Sequence, residues 1–288
     1  MTPDTIKTFV ELVDPMSQTM VVDVGASPIT ETPPYDGLVK SGCAQLIGFE
    51  PDRQSLDTLN ANKGPNETYF SNVVGDGGPK TFYATPATGL SSTKKLCPWV
   101  GSYFGPRWGK QAVRATEIPV STVRLDAFDA VDRMDFLKID IQGGELEVFE
   151  NAGRLLSQTA MLQTEVALMS FYEEQPSFAD IQNELTKFDL IPFRFATVNR
   201  RRIFSRFTRK LSGKIRPSQI LDLDVVFVKN PVRLDQFDTE LVKQMAILAF
   251  SVLGAVDLAC KCLDRLTEDN PEAFEAFAEF LNADVLKT

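Results

Sequence analysis

Three short apolar runs in this chain end on or beside an acid. Residues 20–24 carry Asp23, residues 46–49 run into Glu50, and residues 134–139 run into Asp140. Apolar runs this short, bounded by glycine or proline, read as buried strands. Residues 68–74 and 160–166 add two more. Between them the period becomes helical. Residues 4–13 set Ile6, Phe9, Val10 and Val13 on one face and stop before Pro15. Residues 52–61 predict a helix opening at Asp52, residues 144–151 one that follows Asp140, and residues 177–188 one with Ile181, Leu185 and Phe188 on one side. Residues 25–37, rich in Gly, Pro, Ser and Thr, read as loop. Residues 80–85 and 116–125 read as an inserted hairpin, and 190–197 with 221–229 as a closing antiparallel pair. The rest of 75–115 has no sustained period.

Strands alternating with helices predict an α/β fold, with a mainly parallel sheet, helices on both faces and an antiparallel last strand. From Leu234 the pattern is helical only. One helix is expected over 237–266. Another follows Asn270 as N-cap, with Pro271 in its first turn and Phe274, Phe277 and Phe280 on one face. The expected division is a domain over 1–230 and a helical extension over 231–288, whose apolar face either covers the core or pairs two copies into a homo-oligomer.

Composition narrows the function. A 43% apolar and 24% charged chain is an ordinary globular protein. Its net charge of −9 argues against nucleic acid as a partner. The charge is uneven, since residues 194–216 hold nine basic residues, Arg200, Arg201 and Arg202 among them, and no acid. That run is a candidate grip for an anionic acceptor or an acidic lipid surface. Four scattered cysteines, no transmembrane-length apolar run and no basic-then-apolar start predict reduced thiols and a cytoplasmic protein. There is no histidine, so hydrolase triads and His-based metal sites are excluded. Acid–base work falls to Asp, Glu, Lys, Tyr or Cys.

The strand ends carry the candidate chemistry. Asp23-Val24-Gly25-Ala26-Ser27 follows a strand as a nucleoside-binding loop does, but no GxGxxG is present, which argues against a nicotinamide dinucleotide. Glu50, followed by Pro51, stands where an acid can accept from both ribose hydroxyls. Asp140 and Glu145 flank a Gly-Gly turn, and Glu165 ends the next strand. Clustered carboxylates raise one another's pKa, which suits proton removal from an alcohol.

Together, Val21-Val22-Asp23-Val24-Gly25-Ala26, Gly48-Phe49-Glu50-Pro51, Val123-Arg124-Leu125-Asp126 and Phe136-Leu137-Lys138-Ile139-Asp140-Ile141-Gln142-Gly143-Gly144-Glu145-Leu146-Glu147 resemble the FkbM-type methyltransferase family, within the class I S-adenosylmethionine-dependent, Rossmann-like fold. Residues 222–228 look like its last strand. The resemblance covers about 20–230 and implies S-adenosylmethionine as cofactor. Asp23, Gly25 and Ala26 would frame the methionine part, Glu50 the ribose, and Asn72 and Val73 would meet the adenine, with Ser27 and Pro51 also toward the cofactor. The implied reaction is methyl transfer to an oxygen of a sugar, glycan or other small hydroxylated molecule. Asp140 is then the first candidate base and Glu165 the second, with Glu145 and Arg200–Arg202 toward the acceptor and no metal required. Ser27-Pro28 stands where the family has Asn and a further glycine. That departure keeps open a second reading, a catalytically silent binding or assembly module.

Overall fold

The computed structural model describes residues 1–27, 32–211 and 215–285. Pro28 of the altered loop and Lys214 of the basic run lie outside the described residues. The described residues form ten strands: β1 (Thr19–Val24), β2 (Ala44–Phe49), β3 (Glu67–Phe70), β4 (Val73–Val74), β5 (Pro79–Ala84), β6 (Thr116–Val123), β7 (Phe136–Ile139), β8 (Met161–Ala167), β9 (Leu190–Arg201) and β10 (Gln219–Lys229). The helices are α1 (Pro3–Val13), α2 (Asp36–Lys40), α3 (Arg53–Asn62), α4 (Val100–Phe104), α5 (Pro106–Val113), α6 (Glu145–Glu150), α7 (Gly153–Gln158), α8 (Phe178–Thr186), α9 (Arg206–Lys210), α10 (Thr239–Leu248), α11 (Val256–Leu266) and α12 (Pro271–Phe280).

Seven strands make one sheet in the order β3-β2-β1-β7-β8-β10-β9. The pairs from β3 to β8 are parallel, and β10 runs antiparallel to both β8 and β9. The predicted fold class is therefore present. The chain first builds outward from β1 to β3, then returns to lay β7 on the other side of β1. Ligand crevices in such sheets open beyond the carboxyl ends of the strands at this reversal. β1 and β7 carry Asp23 and Asp140 there.

The sheet has an apolar layer on each side. One face packs Val21, Phe136, Val226 and Val228 against α1, α2 and the carboxyl-terminal helices. The other packs Val22, Leu137, Leu162 and Phe227 against α6, α7 and α8. The carboxyl-terminal helices belong to the first layer. Phe277 and Phe280 are buried, and Phe9 stacks on Phe250 with ring centroids 4.1 Å apart. The tail thus covers the sheet of its own chain, while Phe274 stays exposed.

Two expected elements differ. The strand over 68–74 is two strands. Glu50 N–H donates to Phe70 C=O, but Pro51 then turns β2 toward α3, so β3 runs out of partner. Val73–Val74 instead pairs with Thr122–Val123 in a separate three-stranded sheet with the β5–β6 hairpin. The helix over 237–266 is broken. A π turn over Ala249–Leu253 leads into Gly254 at φ 62°, which stops the helix and folds α11 back onto α10. The stretch 75–115, which shows no sequence period, contains α4 and α5 beneath a small aromatic cluster.

Candidate active site

The β1 turn closes tightly on its neighbours. Gly25 and Ala26 N–H both donate to Phe49 C=O, at 3.0 and 3.1 Å, and Asp140 N–H donates to Val24 C=O. Gly25 sits at φ +87°, and a Cβ there would stand 2.2 Å from Asp140 C=O. Glycine is required because it lets the ends of β1 and β7 meet. Ala26 is buried behind it and Ser27 is exposed.

Asp23 is buried and both its oxygens are taken. Tyr35 Oη donates to Oδ2, and Lys138 Nζ lies 3.3 Å from Oδ1. The cause is register, since Lys138 is directly beside Asp23 across the β1–β7 pair. Burial works against the Lys138 charge, but Asp23, Asp140 and Asp224 outweigh it and hold the ammonium above its ordinary range. Burial and Asp23 push the Tyr35 phenol well above its own. Asp23 is thus fixed in the crevice wall by one partner on each oxygen.

Glu50 is buried at the end of β2, where its Oε1 accepts from Asp52 N–H at 2.8 Å. Burial raises its carboxyl, partly opposed by that bond. Its second oxygen takes no hydrogen bond from the described residues. A buried acid with one oxygen held and one open fits a ligand diol. Pro51 follows, and Asp52 caps α3 by accepting from Ser55 N–H. Asn72 lies half-buried between β3 and β4, beside Val73. The residues present thus fit a nucleoside: an acid beyond β2, a glycine turn beyond β1, and a polar side chain beyond β3.

Across the reversal, the turn after β7 gathers the carboxylates. Gln142, at φ 60°, donates from Nε2 to Asp140 Oδ1 at 2.6 Å and to Glu165 Oε2 at 3.2 Å. Tyr172 Oη, within reach of Leu90 C=O, donates to Gln142 Oε1 at 3.2 Å. Burial, then Asp140 and Asp222, push Glu165 well above the usual carboxylate range. Sequence reasoning missed Tyr35, Lys138, Gln142 and Tyr172. Lys138 and Asp140 alternate along one strand with the apolar residues of the other face, a readable signal that two polar groups share the crevice side.

Glu145, expected toward the acceptor, lies inside the turn after β7. Its side chain is 2% exposed, and its two oxygens accept from Ile141 and Gly143 N–H, both at 2.9 Å. Burial pushes it up to about 7, against those backbone donors. It shapes the turn from within. Arg200, Arg201 and Arg202 are exposed at the end of edge strand β9. Of the three, Arg201 lies over the Trp108 ring, 5.7 Å from its centroid, and partly opposes the rise that burial imposes on the Asp222 carboxyl, as the Asn199 hydrogen bond also does.

No curated protein matches the sequence. Among solved structures the likenesses are distant. A magnesium protoporphyrin IX methyltransferase from Synechocystis PCC 6803, solved with S-adenosylmethionine bound, is 11% identical, with 79% of this chain and 77% of that one covered at a TM-score of 0.36. A precorrin-6y C5,15-methyltransferase from Geobacter metallireducens GS-15 is 12% identical over 78% and 89%, at 0.33. The family comparison is direct, because the methyltransferase FkbM domain profile matches residues 23–190, from Asp23 of β1 to the first residue of β9. By that match, over more than half its length, the chain belongs to the FkbM methyltransferase domain family.

Proposed function

We propose that this protein transfers the methyl group of S-adenosylmethionine to a hydroxyl oxygen of a sugar, glycan or other small hydroxylated molecule. The observation that carries this reading is the Gln142 amide, which holds Asp140 and Glu165 together beside the β1–β7 reversal. The bound cofactor would supply an electrophilic methyl carbon on a sulfonium, so positioning accounts for much of the rate. Glu50 would hold the ribose through its open oxygen, Gly25, Ala26 and Ser27 would border the methionine part, and Asn72 and Val73 the adenine.

The carboxylates supply the acid–base step. An alcohol is a weak nucleophile until its proton is accepted as the new bond forms. Asp140 would take that proton while the oxygen–methyl bond forms and the methyl–sulfur bond breaks, which leaves S-adenosylhomocysteine. Glu165, whose carboxyl burial and neighbouring acids keep protonated well above the usual range, would donate a hydrogen bond to the acceptor and orient it. Tyr172 and Gln142 would fix both side chains. Arg201, anchored on Trp108, would line the acceptor's entrance.

The test is incubation with methyl-labelled cofactor and fractionated hydroxylated small molecules and glycans, for the wild type and Asp140→Asn. Label in an alkali-stable ether product, lost with Asp140→Asn, supports the assignment. A folded wild type that binds cofactor but labels no oxygen acceptor would favour the silent module.

A further inference from the structure

The acid-free segment 194–216 does not stand alone. Residues 77–116 also hold no acid, with six basic residues, so the remainder of the chain carries 15 basic against 39 acidic residues. The fold brings the two segments together. Phe204 N–H donates to Tyr103 C=O at 2.8 Å, a Cβ on Gly105 would meet the Phe204 ring, and Arg201 lies over Trp108. The cations of α5 and those around Arg201 and α9 therefore make a local basic face on an otherwise acidic protein.

That face is also apolar. α9 is capped by Ser205, whose side chain accepts from Thr208 N–H, so it is a formed turn and not a frayed strand end. Phe207 and Leu211, four apart and therefore on one side of it, are 74% and 55% exposed. Ile203 just before is exposed as well. Arg206, Arg209 and Lys210 flank them, and none of the three is in an ion pair among the described residues. On α5, Arg107 and Lys110 add exposed cations.

We infer that the α9 tip docks on an anionic lipid bilayer surface, with Phe207 and Leu211 in the headgroup layer and the surrounding arginines and lysine against acidic headgroups. Charge alone would equally suit a nucleic acid. Single-stranded nucleic acid, however, stacks its bases on aromatic rings, and of the exposed apolar side chains at this tip Phe207 alone is aromatic, while Leu211 and Ile203 offer no ring. Aliphatic and aromatic groups beside unpaired cations are the combination by which a segment lies in a bilayer interface without crossing it. No helix among the described residues is long and apolar enough to cross a membrane. The contact would also place the Arg201 side of the carboxylate crevice near the lipid surface.

The test is co-sedimentation of the full chain with vesicles of phosphatidylcholine alone or mixed with phosphatidylglycerol, at low and high salt. The expected result is binding to the mixed vesicles only, weakened by salt. Arg206→Gln/Arg209→Gln/Lys210→Gln together should weaken it on the order of a hundredfold, and Phe207→Ser about tenfold. Lys63→Gln, exposed on the far side of the sheet's β2–β3 edge, should leave it unchanged. Circular dichroism confirms that each variant is folded. No binding to mixed vesicles, equal binding to neutral ones, or retention on single-stranded RNA in place of vesicles would each overturn the inference.

Discussion

Glu165 on β8 stands directly across from Asp224 on β10 in the antiparallel register of that pair, with both side chains on the sheet face that also carries Lys138 and Asp23. Two acids face to face beside a third, Asp140, cannot all ionise cheaply. The consequence is a crevice with Lys138, several acids and a Glu165 carboxyl raised well above the usual carboxylate range.

The sign of that effect can be measured. The folded-state pKa of Glu165 is raised, chiefly by burial. Its contribution to stability is therefore complete below the unfolded carboxylate range and is lost as pH rises toward the folded value. Glu165→Gln keeps an acceptor for Gln142 and removes the ionisation. The variant should melt higher than wild type at neutral pH and equally in acid, while methyl transfer falls. A lower melting temperature at neutral pH would contradict this.

Glu145 gives a second window with the same sign. Its carboxyl moves from 4.5 to about 7. Stability should thus decline between those values as the unfolded chain ionises first. Glu145→Gln should remove that slope, yet leave Ile141 or Gly143 N–H facing an amide NH2, at a cost of about 1–3 kcal/mol. Denaturant unfolding from acidic to neutral pH separates the two effects.

Gly25→Ala should be among the most damaging single-methyl changes. The new Cβ meets Asp140 C=O, a backbone atom that cannot rotate away, at a φ that L residues rarely adopt. The expected loss is about 2–4 kcal/mol, measured by chemical denaturation. A loss below about 0.5 kcal/mol, within the range of neutral surface changes, would mean that the β1 and β7 ends are further apart.

Tyr35→Phe removes one of two partners from buried Asp23 and leaves Lys138 as the other. The expected cost is about 1–3 kcal/mol, with little change in cofactor affinity if Asp23 supports the wall. A large loss of affinity without loss of stability would instead make Asp23 a direct ligand contact.

Local chemistry made much of this legible in the sequence. Asp52 reads as a helix start and Asn270 as a helix cap, and they accept from Ser55 and Ala273 N–H. The acids at the ends of β1 and β2 and just after β7 read as a crevice because the apolar runs end there. What was hidden depends on distant partners or on backbone exceptions. Gln142 meets Glu165 only because the turn after β7 takes a left-handed conformation at a non-glycine residue. Tyr35 reaches Asp23 across a loop with no periodic signal. Glu145 reads as a ligand contact, whereas the turn curls over it and uses both its oxygens. The break at Gly254 was masked by an apolar run that continues through it.

The central claim, that the crevice between β1, β2 and β7 holds S-adenosylmethionine, is tested most directly by calorimetric titration of the wild type and Glu50→Gln with S-adenosylmethionine and S-adenosylhomocysteine. The account predicts that both ligands bind the wild type and that Glu50→Gln, which keeps one acceptor oxygen but loses the charge, weakens both by about 1–3 kcal/mol. A folded wild type that binds neither ligand, or a Glu50→Gln variant that binds both as well as wild type does, would contradict it.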